Sequence, residues 1–140
     1  MNLPKNIKNI INGIKVEGEE VVFENNNFII LKDKKHSIDS YHYTAWIKKD
    51  IRNLLEVNKN ILDQINNIKI ELENKNLINS DDFIFIHFPP SIWRLHIHFV
   101  EKNHIFEAPY YEIFFLNEII EKINNDPDYY LKNVVIRSKI

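Results

Sequence analysis

The segment "HFPPSIWRLHIHFV", residues 87–100, carries two histidines two positions apart in an otherwise apolar stretch. Alternate side chains of a β-strand leave from the same face. Arg94, His96 and His98 are therefore predicted to share one face, and the apolar residues between them face the other way. Strand stability alone does not require a row of nitrogen donors. This face is therefore predicted to be functional.

The composition indicates one globular domain spanning residues 1–140. Hydrophobic residues make up 44% of the chain and charged residues 27%, which is typical of a folded protein. The formal net charge of −2 argues against binding of duplex nucleic acid by phosphate neutralisation. A small anionic ligand held by a few local cations is compatible with this charge.

Several classes of protein are excluded by missing residues. The chain has no cysteine, so disulfides and thiolate zinc sites are excluded and an intracellular location, cytoplasmic or nuclear, is expected. The N-terminus lacks the apolar core of a signal peptide, and no apolar run approaches the ~20 residues of a membrane span. The two glycines, Gly13 and Gly18, cannot form a glycine-rich phosphate loop, so side chains must bind any phosphate.

Hydrophobic periodicity predicts an α+β fold in which an antiparallel sheet packs with about two helices. Asn58 is a candidate N-cap of the longest helix, and Asn25–Asn27 form a hairpin turn. Strands are predicted over residues 19–24, 27–33, 41–49, 82–88, 91–100 and 132–140, and helices over 59–75 and 111–124, with a short helix or turn at 9–14.

The histidine pair admits three interpretations: structural hydrogen-bonding residues, a metal site or a phosphate site. Zinc needs a third ligand, and Arg94 on the same face would repel a dication. A cationic neighbour suits an anion better. Neutral imidazole is a nucleophile near pH 7, and flanking cations favour attack on phosphorus.

The same residues resemble a known family. "RLHIHFV" is similar to the histidine-triad motif, with Arg94 in place of the first histidine. The surrounding segments resemble one branch, the scavenger mRNA-decapping enzymes. They are "FIFIHFPPSIWRLHIHF", "FEAP" at residues 106–109, and "NEIIEKINNDPDYY". "EEVVFEN", "NFIILKDKK" and "DIRNLLEV" follow the family's order upstream, so that the resemblance covers residues 9–137.

This resemblance implies a histidine-triad fold and a metal-independent pyrophosphatase without cofactor. Its substrate would be the 5′–5′ triphosphate of a free mRNA cap or of a short capped oligonucleotide. The central histidine, His96, would attack phosphorus to form a phosphohistidine, and water would release 7-methyl-GMP. His98, Arg94, His87 and Ser91 would bind phosphate. The family also implies a homodimer.

Three further residues match the family's cap-binding positions: Glu17, Asp33 and Lys35. In the family, acidic residues accept hydrogen bonds from the guanine edge or the ribose, and a lysine contacts the nucleotide. A carboxylate also suits 7-methylguanine because that base is positively charged. Considered singly, the three could also be exposed charges of a hairpin.

The chain departs from the family pattern in ways that keep alternatives open. Arginine replaces the first triad histidine, the family's stacking tryptophan is absent, and the chain is expected to begin at the catalytic domain, without the N-terminal lid domain. One alternative is a broader histidine-triad hydrolase acting on dinucleoside polyphosphates. Another is an inactive dimeric module that binds caps or nucleotides.

Overall fold

The computed structural model describes residues 3–14, 16–32, 41–88, 92, 94–102 and 113–138, with side chains up to residue 133. It confirms the predicted α+β class, although the described residues contain four α-helices and not two. The elements in chain order are α1 (Lys5–Ile11), β1 (Val21–Glu24), β2 (Phe28–Lys32), β3 (His42–Ile47), a 3-10 turn (Leu54–Glu56), α2 (Lys59–Asn74), β4 (Phe83–His87), β5 (His96–Val100), β6 (Ile113–Phe115), α3 (Leu116–Asn125) and α4 (Tyr129–Ser138).

The six strands form one antiparallel sheet in the order β1-β2-β3-β5-β4-β6. The strand that carries His96 and His98 is therefore interior, with β3 on one side and β4 on the other. The register places Trp46 opposite His96, and Thr44 opposite His98. Two neighbours fix this register, because a slip of one residue would turn every side chain of β5 to the wrong face.

The two faces of the sheet are covered differently. The main core lies between one face and the helices α2, α3 and α4, and contains Ile97 and Phe99 of β5. On the opposite face, α1 covers only the part near β2 and β3, where Ile7 and Ile10 pack against Trp46 and its neighbours. The histidine face of β5 therefore remains largely without a covering helix among the described residues.

Local turn and capping predictions are confirmed. The Asn58 side-chain oxygen accepts a hydrogen bond from the Ile61 amide at 2.9 Å, which caps α2. The Asn25 side-chain oxygen accepts from the amides of Asn27 and Phe28, both at 2.8 Å, and closes the β1–β2 hairpin.

Near the C-terminus one predicted strand is wrong, and one predicted helix begins later than expected. The strand expected over residues 132–140 lies largely within helix α4, which follows a turn in which the Asp126 carboxylate accepts from the Asp128 amide at 3.0 Å. The β-branched run at 134–136 suggested a strand, but local turn geometry and the burial of Tyr130 favour the helix. The helix expected from residue 111 starts at Leu116, because Ile113–Phe115 pair with β4 as an edge strand.

Two isoleucines of α2 test the assignment of the core. Ile68 is 1% exposed and Ile70 is 47% exposed on the same helix. We expect Ile68→Ala to lower the free energy of unfolding by about 2–5 kcal/mol, because it leaves a cavity under the sheet. The matched change Ile70→Ala is expected to alter it by no more than about 0.5 kcal/mol. Urea-induced unfolding measures both, and equal losses would contradict the packing described.

Candidate active site

Four of the chain's six histidines lie together on the uncovered face of the sheet. His98 is the central member of this histidine cluster. Its ring centroid lies 5.2 Å from that of His42, 4.9 Å from that of His87 and 5.2 Å from that of His96. The structure thus brings together three of the residues predicted from the sequence, and adds His42.

The tautomer of His96 is set by the backbone. Its Nδ1 lies 2.8 Å from the carbonyl oxygen of Arg94. A carbonyl oxygen can only accept a hydrogen bond, so Nδ1 carries the hydrogen. In the neutral ring the lone pair then resides on Nε2. This is the protonation pattern that a nucleophilic imidazole requires.

The surroundings of His96 keep the ring neutral. The indole of Trp46 stacks on it with a centroid distance of 4.3 Å and an interplanar angle of 26°. Burial lowers the pKa of His96 below its usual value of 6.5, and the charge of His87 lowers it further, whereas the hydrogen bond to the Arg94 carbonyl acts in the opposite direction. His96 is therefore predominantly uncharged at neutral pH.

His98 is positioned by a second histidine. Nε2 of His42 lies 2.9 Å from Nδ1 of His98, and the His42 side chain is buried. One of the two nitrogens must donate and the other accept. If His42 donates, neutral His98 carries its own hydrogen on Nε2, the form that donates to a phosphate oxygen. Phe85 also stacks on His98, at 5.1 Å between centroids.

His42 is the site residue that the sequence analysis missed. It has the same parity as Thr44 and Trp46 in β3, so it leaves from the histidine face once β3 is placed beside β5. It pairs with Val100, which lies two positions after His98 in β5. The scarcity of histidine, combined with this parity, is the signal that could have identified it.

His87 lies at the end of β4, on the same face. Its ring stacks on that of His98 with an interplanar angle of 28°, and on Phe85 at a centroid distance of 5.3 Å. The predicted supporting residue therefore reaches the cluster through ring contact with His98. A charge on His87 also disfavours a charge on His96, because like charges repel.

Arg94 has a structural task that the sequence did not indicate. Its Nη1 donates to the carbonyl oxygens of Ile47, Lys48 and Lys49 at 3.3, 2.9 and 2.9 Å. Its Nη2 lies 4.0 Å from a carboxylate oxygen of Asp50. The guanidinium thus connects the segment after β3 to the start of β5. Any contact of Arg94 with phosphate must use the N–H groups other than those of Nη1.

Of the three predicted cap-binding residues, the structure describes only Glu17. Asp33 and Lys35, like the phosphate-binding candidate Ser91, lie outside the described residues. Glu17 is exposed in the connection between α1 and β1. A cavity of about 460 Å³ nearby is lined not by Glu17 but by Ile10, Gly13, Ile14, Val16, Glu19, Glu20, Val21, Glu24 and Ile29. This pocket combines an apolar lining with carboxylates, a character suited to a positively charged aromatic base.

Metal-binding clusters and membrane-spanning helices are both absent from the described part of the chain. No group of three or more His, Asp or Glu side chains there is arranged to hold a metal ion. No helix in the same part is both long and apolar enough to cross a membrane.

The pKa of His96 provides a direct test of this geometry. An NMR titration is expected to give a midpoint below 6.5 for the His96 ring, because burial disfavours the imidazolium. Trp46→Leu is expected to raise the midpoint toward 6.5, since the leucine leaves one ring face open to water. Trp93 lies outside the described residues, so the control is Phe85→Leu, which removes a ring that contacts His87 and His98. A midpoint for His96 at or above 6.5 in the unsubstituted protein would contradict the assignment.

Comparison with known proteins identifies the family of this chain. Residues 5–108 match the family described as "Scavenger mRNA decapping enzyme C-term binding". The chain is 26% identical over 137 residues to m7GpppX diphosphatase of Sus scrofa, covering 86% of this chain and 40% of that protein. It is 27% identical over 132 residues to m7GpppX diphosphatase of Homo sapiens, covering 83% and 39%. The chain thus spans about 40% of the length of these relatives.

Solved structures share the fold. The structure titled "Hit Like Protein" superposes with a TM-score of 0.59 at 16% identity, covering 70% of this chain and 98% of that one. A HIT family hydrolase from Legionella pneumophila Philadelphia 1 gives 0.57 at 19% identity, covering 77% and 98%. Since the family match includes all three strands that carry the histidine cluster and more than half of the chain, the chain belongs to the scavenger mRNA decapping enzyme C-terminal family, with a histidine-triad fold.

Proposed function

We propose that this chain is a hydrolase that cleaves the 5′–5′ triphosphate of a free mRNA cap or of a short capped oligonucleotide and releases 7-methyl-GMP. The observation that carries the proposal is the state of His96. Its Nδ1 hydrogen is held by the Arg94 carbonyl, and burial lowers its pKa. A neutral ring with its lone pair on Nε2, beside the His98–His42 pair, is suited to attack phosphorus.

The reaction has two steps. Nε2 of His96 attacks the phosphorus next to 7-methylguanosine, so that an N–P bond forms and the bond from that phosphorus to the bridging oxygen breaks. The remaining nucleotide leaves with a terminal diphosphate, and its oxygen retains the electron pair. Water then attacks the phosphohistidine. An O–P bond forms and the N–P bond breaks. A proton of the water passes to solvent, 7-methyl-GMP dissociates, and His96 returns to its neutral form.

The other histidines stabilise negative charge in this scheme. His98, with its hydrogen on Nε2, donates to a phosphate oxygen as charge develops. Arg94 contributes through its Nε or Nη2 hydrogens, while Nη1 remains on the main chain. We assign His87 and Ser91 to the same phosphate site. No metal ion or cofactor is needed for these steps, because imidazole and guanidinium groups supply both the nucleophile and the charge.

The methylated base is proposed to bind toward β1, through Glu17, Asp33 and Lys35. The cavity lined by Glu19 and Glu20 supports this direction, because these carboxylates would stabilise a cationic base.

We further propose that the chain acts as a homodimer. Phe83 and Phe115 are partly buried and, with Phe85, Val100 and Ile113, form an apolar cluster at the β4–β6 end of the sheet. β6 is an edge strand of three residues, on which a second sheet can continue. Light scattering during gel filtration measures the mass, and a monomer at micromolar concentration would overturn this part of the proposal.

The first test of the activity compares two substrates in the presence of EDTA. We expect cleavage of 7-methyl-GpppG with release of 7-methyl-GMP, and slower cleavage of GpppG. His96→Asn is expected to lower turnover by at least about a thousandfold, because it removes the nucleophile, while leaving binding of 7-methyl-GTP intact. Chromatography of the products and equilibrium binding measure the two effects.

The outcomes of this experiment separate the alternatives. Turnover retained by His96→Asn would contradict the phosphohistidine mechanism. Equal rates on the two dinucleotides would indicate a broader histidine-triad hydrolase without recognition of the methyl group. Tight binding of 7-methyl-GTP with no product would identify a binding module, and dependence on metal would contradict the proposed chemistry.

His42 is expected to act as a positioning residue for His98. His42→Leu removes the hydrogen bond to His98 Nδ1 and is expected to lower kcat/KM by roughly tenfold, the value of one net hydrogen bond. His42→Gln, which keeps a donor, is expected to restore part of the loss. The pH–rate profile should also shift for His42→Leu because the tautomer of His98 is no longer fixed. Equal losses for both variants with unchanged profiles would indicate a packing role alone.

A further inference from the structure

A second cavity lies between α1, the end of β3 and the segment just before β5. It has a volume of about 550 Å³ and is lined by residues of α1 together with Lys48 and Arg94. Arg94 connects this cavity to His96. Its carbonyl oxygen accepts a hydrogen bond from His96 Nδ1, and its side chain lines the cavity. Arg94 and His96 are two positions apart, which corresponds to about 7 Å of extended chain. The cavity size is within the usual range for ligand pockets.

The charge of this cavity differs from that of the whole chain. Four of its lining residues are cationic, namely Lys5, Lys8, Lys48 and Arg94, and no carboxylate of the described residues lines it. The chain as a whole has a net charge of −2. Positive charge is therefore concentrated beside the proposed nucleophile.

Two of these cations are available to a ligand. Lys48 is paired with Glu24 at 2.5 Å, and Nη1 of Arg94 is bonded to main-chain carbonyls. Lys5 and Lys8 are exposed and form no ion pair with any described carboxylate. Together with Asn12 they repeat at helical spacing, on the side of α1 opposite its buried isoleucines.

We infer that this basic cavity binds the phosphodiester backbone of single-stranded RNA that continues from the cleaved triphosphate. The inference rests on the proposed function and narrows its substrate to capped oligonucleotides in preference to the free cap dinucleotide. Lysine ammonium groups neutralise phosphates without fixing their geometry. The remaining lining residues are Asn12 and the aliphatic Leu3 and Ile11. Because none of them is aromatic, the binding does not read sequence by base stacking.

The test uses exposed lysines, whose replacement by glutamine preserves helix propensity. The double variant Lys5→Gln/Lys8→Gln removes two charges from the cavity. Lys59→Gln/Lys75→Gln removes two exposed charges from α2 and the turn that follows it, on the other face of the sheet, and is the matched control. Fluorescence anisotropy measures the binding of a labelled, uncapped five-nucleotide RNA at several salt concentrations, which does not depend on turnover.

We expect the cavity variant to bind this RNA roughly tenfold more weakly and to reduce the salt slope by about 1.4, or about 0.7 for each phosphate that is no longer neutralised. The control should bind as the unsubstituted protein does. In turnover assays the cavity variant should raise KM for a capped pentanucleotide and leave the cap dinucleotide unaffected.

Three results would overturn the inference. They are equal binding by the cavity variant and the unsubstituted protein, an equal loss in the control, and an RNA affinity no greater than that of inorganic tripolyphosphate, which would identify a polyphosphate site. If RNA binding depends on Lys5 and Lys8 but no capped substrate is cleaved, the cavity assignment stands and the proposed hydrolase fails.

Discussion

The pairing of β3 with β5 is the constraint on which the site depends. It places Trp46 against His96 and brings His42 within hydrogen-bonding distance of His98. One strand supplies the rings of His96 and His98, and the other supplies Trp46 and His42, which contact them. Since β5 is interior, its register is fixed on both sides, so the relative positions of the rings follow from the sheet and not from a loop.

The two faces of the sheet are used differently: helices cover one face, and the other carries the histidine cluster. The helices α2, α3 and α4 cover one face and supply most of the buried apolar residues. The opposite face can then carry imidazole groups whose burial costs free energy. Its apolar residues form two separate clusters, one under α1 and one near β6, with the histidines between them. This arrangement keeps water from parts of the histidine rings.

Much of the fold could be predicted from the sequence because its signals are local. Asn58 precedes a run of apolar residues at helical spacing, and the Asn25–Asn27 turn separates two apolar runs. The alternation of side chains in a strand places His96 and His98 on the same face. The predictions failed where tertiary contacts decide. Residues 113–115 form a strand only because β4 offers an unpaired edge, and α4 follows from its turn in spite of its β-branched residues. The site shows the same limit, because His42 lies more than fifty residues from His98 in the chain and only the strand order could bring them together.

Arg94 occupies the first position of the histidine-triad motif and also donates to three carbonyl oxygens at the end of β3 and just after it. Replacing this arginine by the histidine of the family pattern would leave carbonyls of Ile47, Lys48 and Lys49 without their donor, since imidazole is shorter and offers at most two N–H groups. A return to the family motif by one substitution is therefore disfavoured. The arginine and this backbone segment are coupled, because a change in one removes hydrogen bonds of the other.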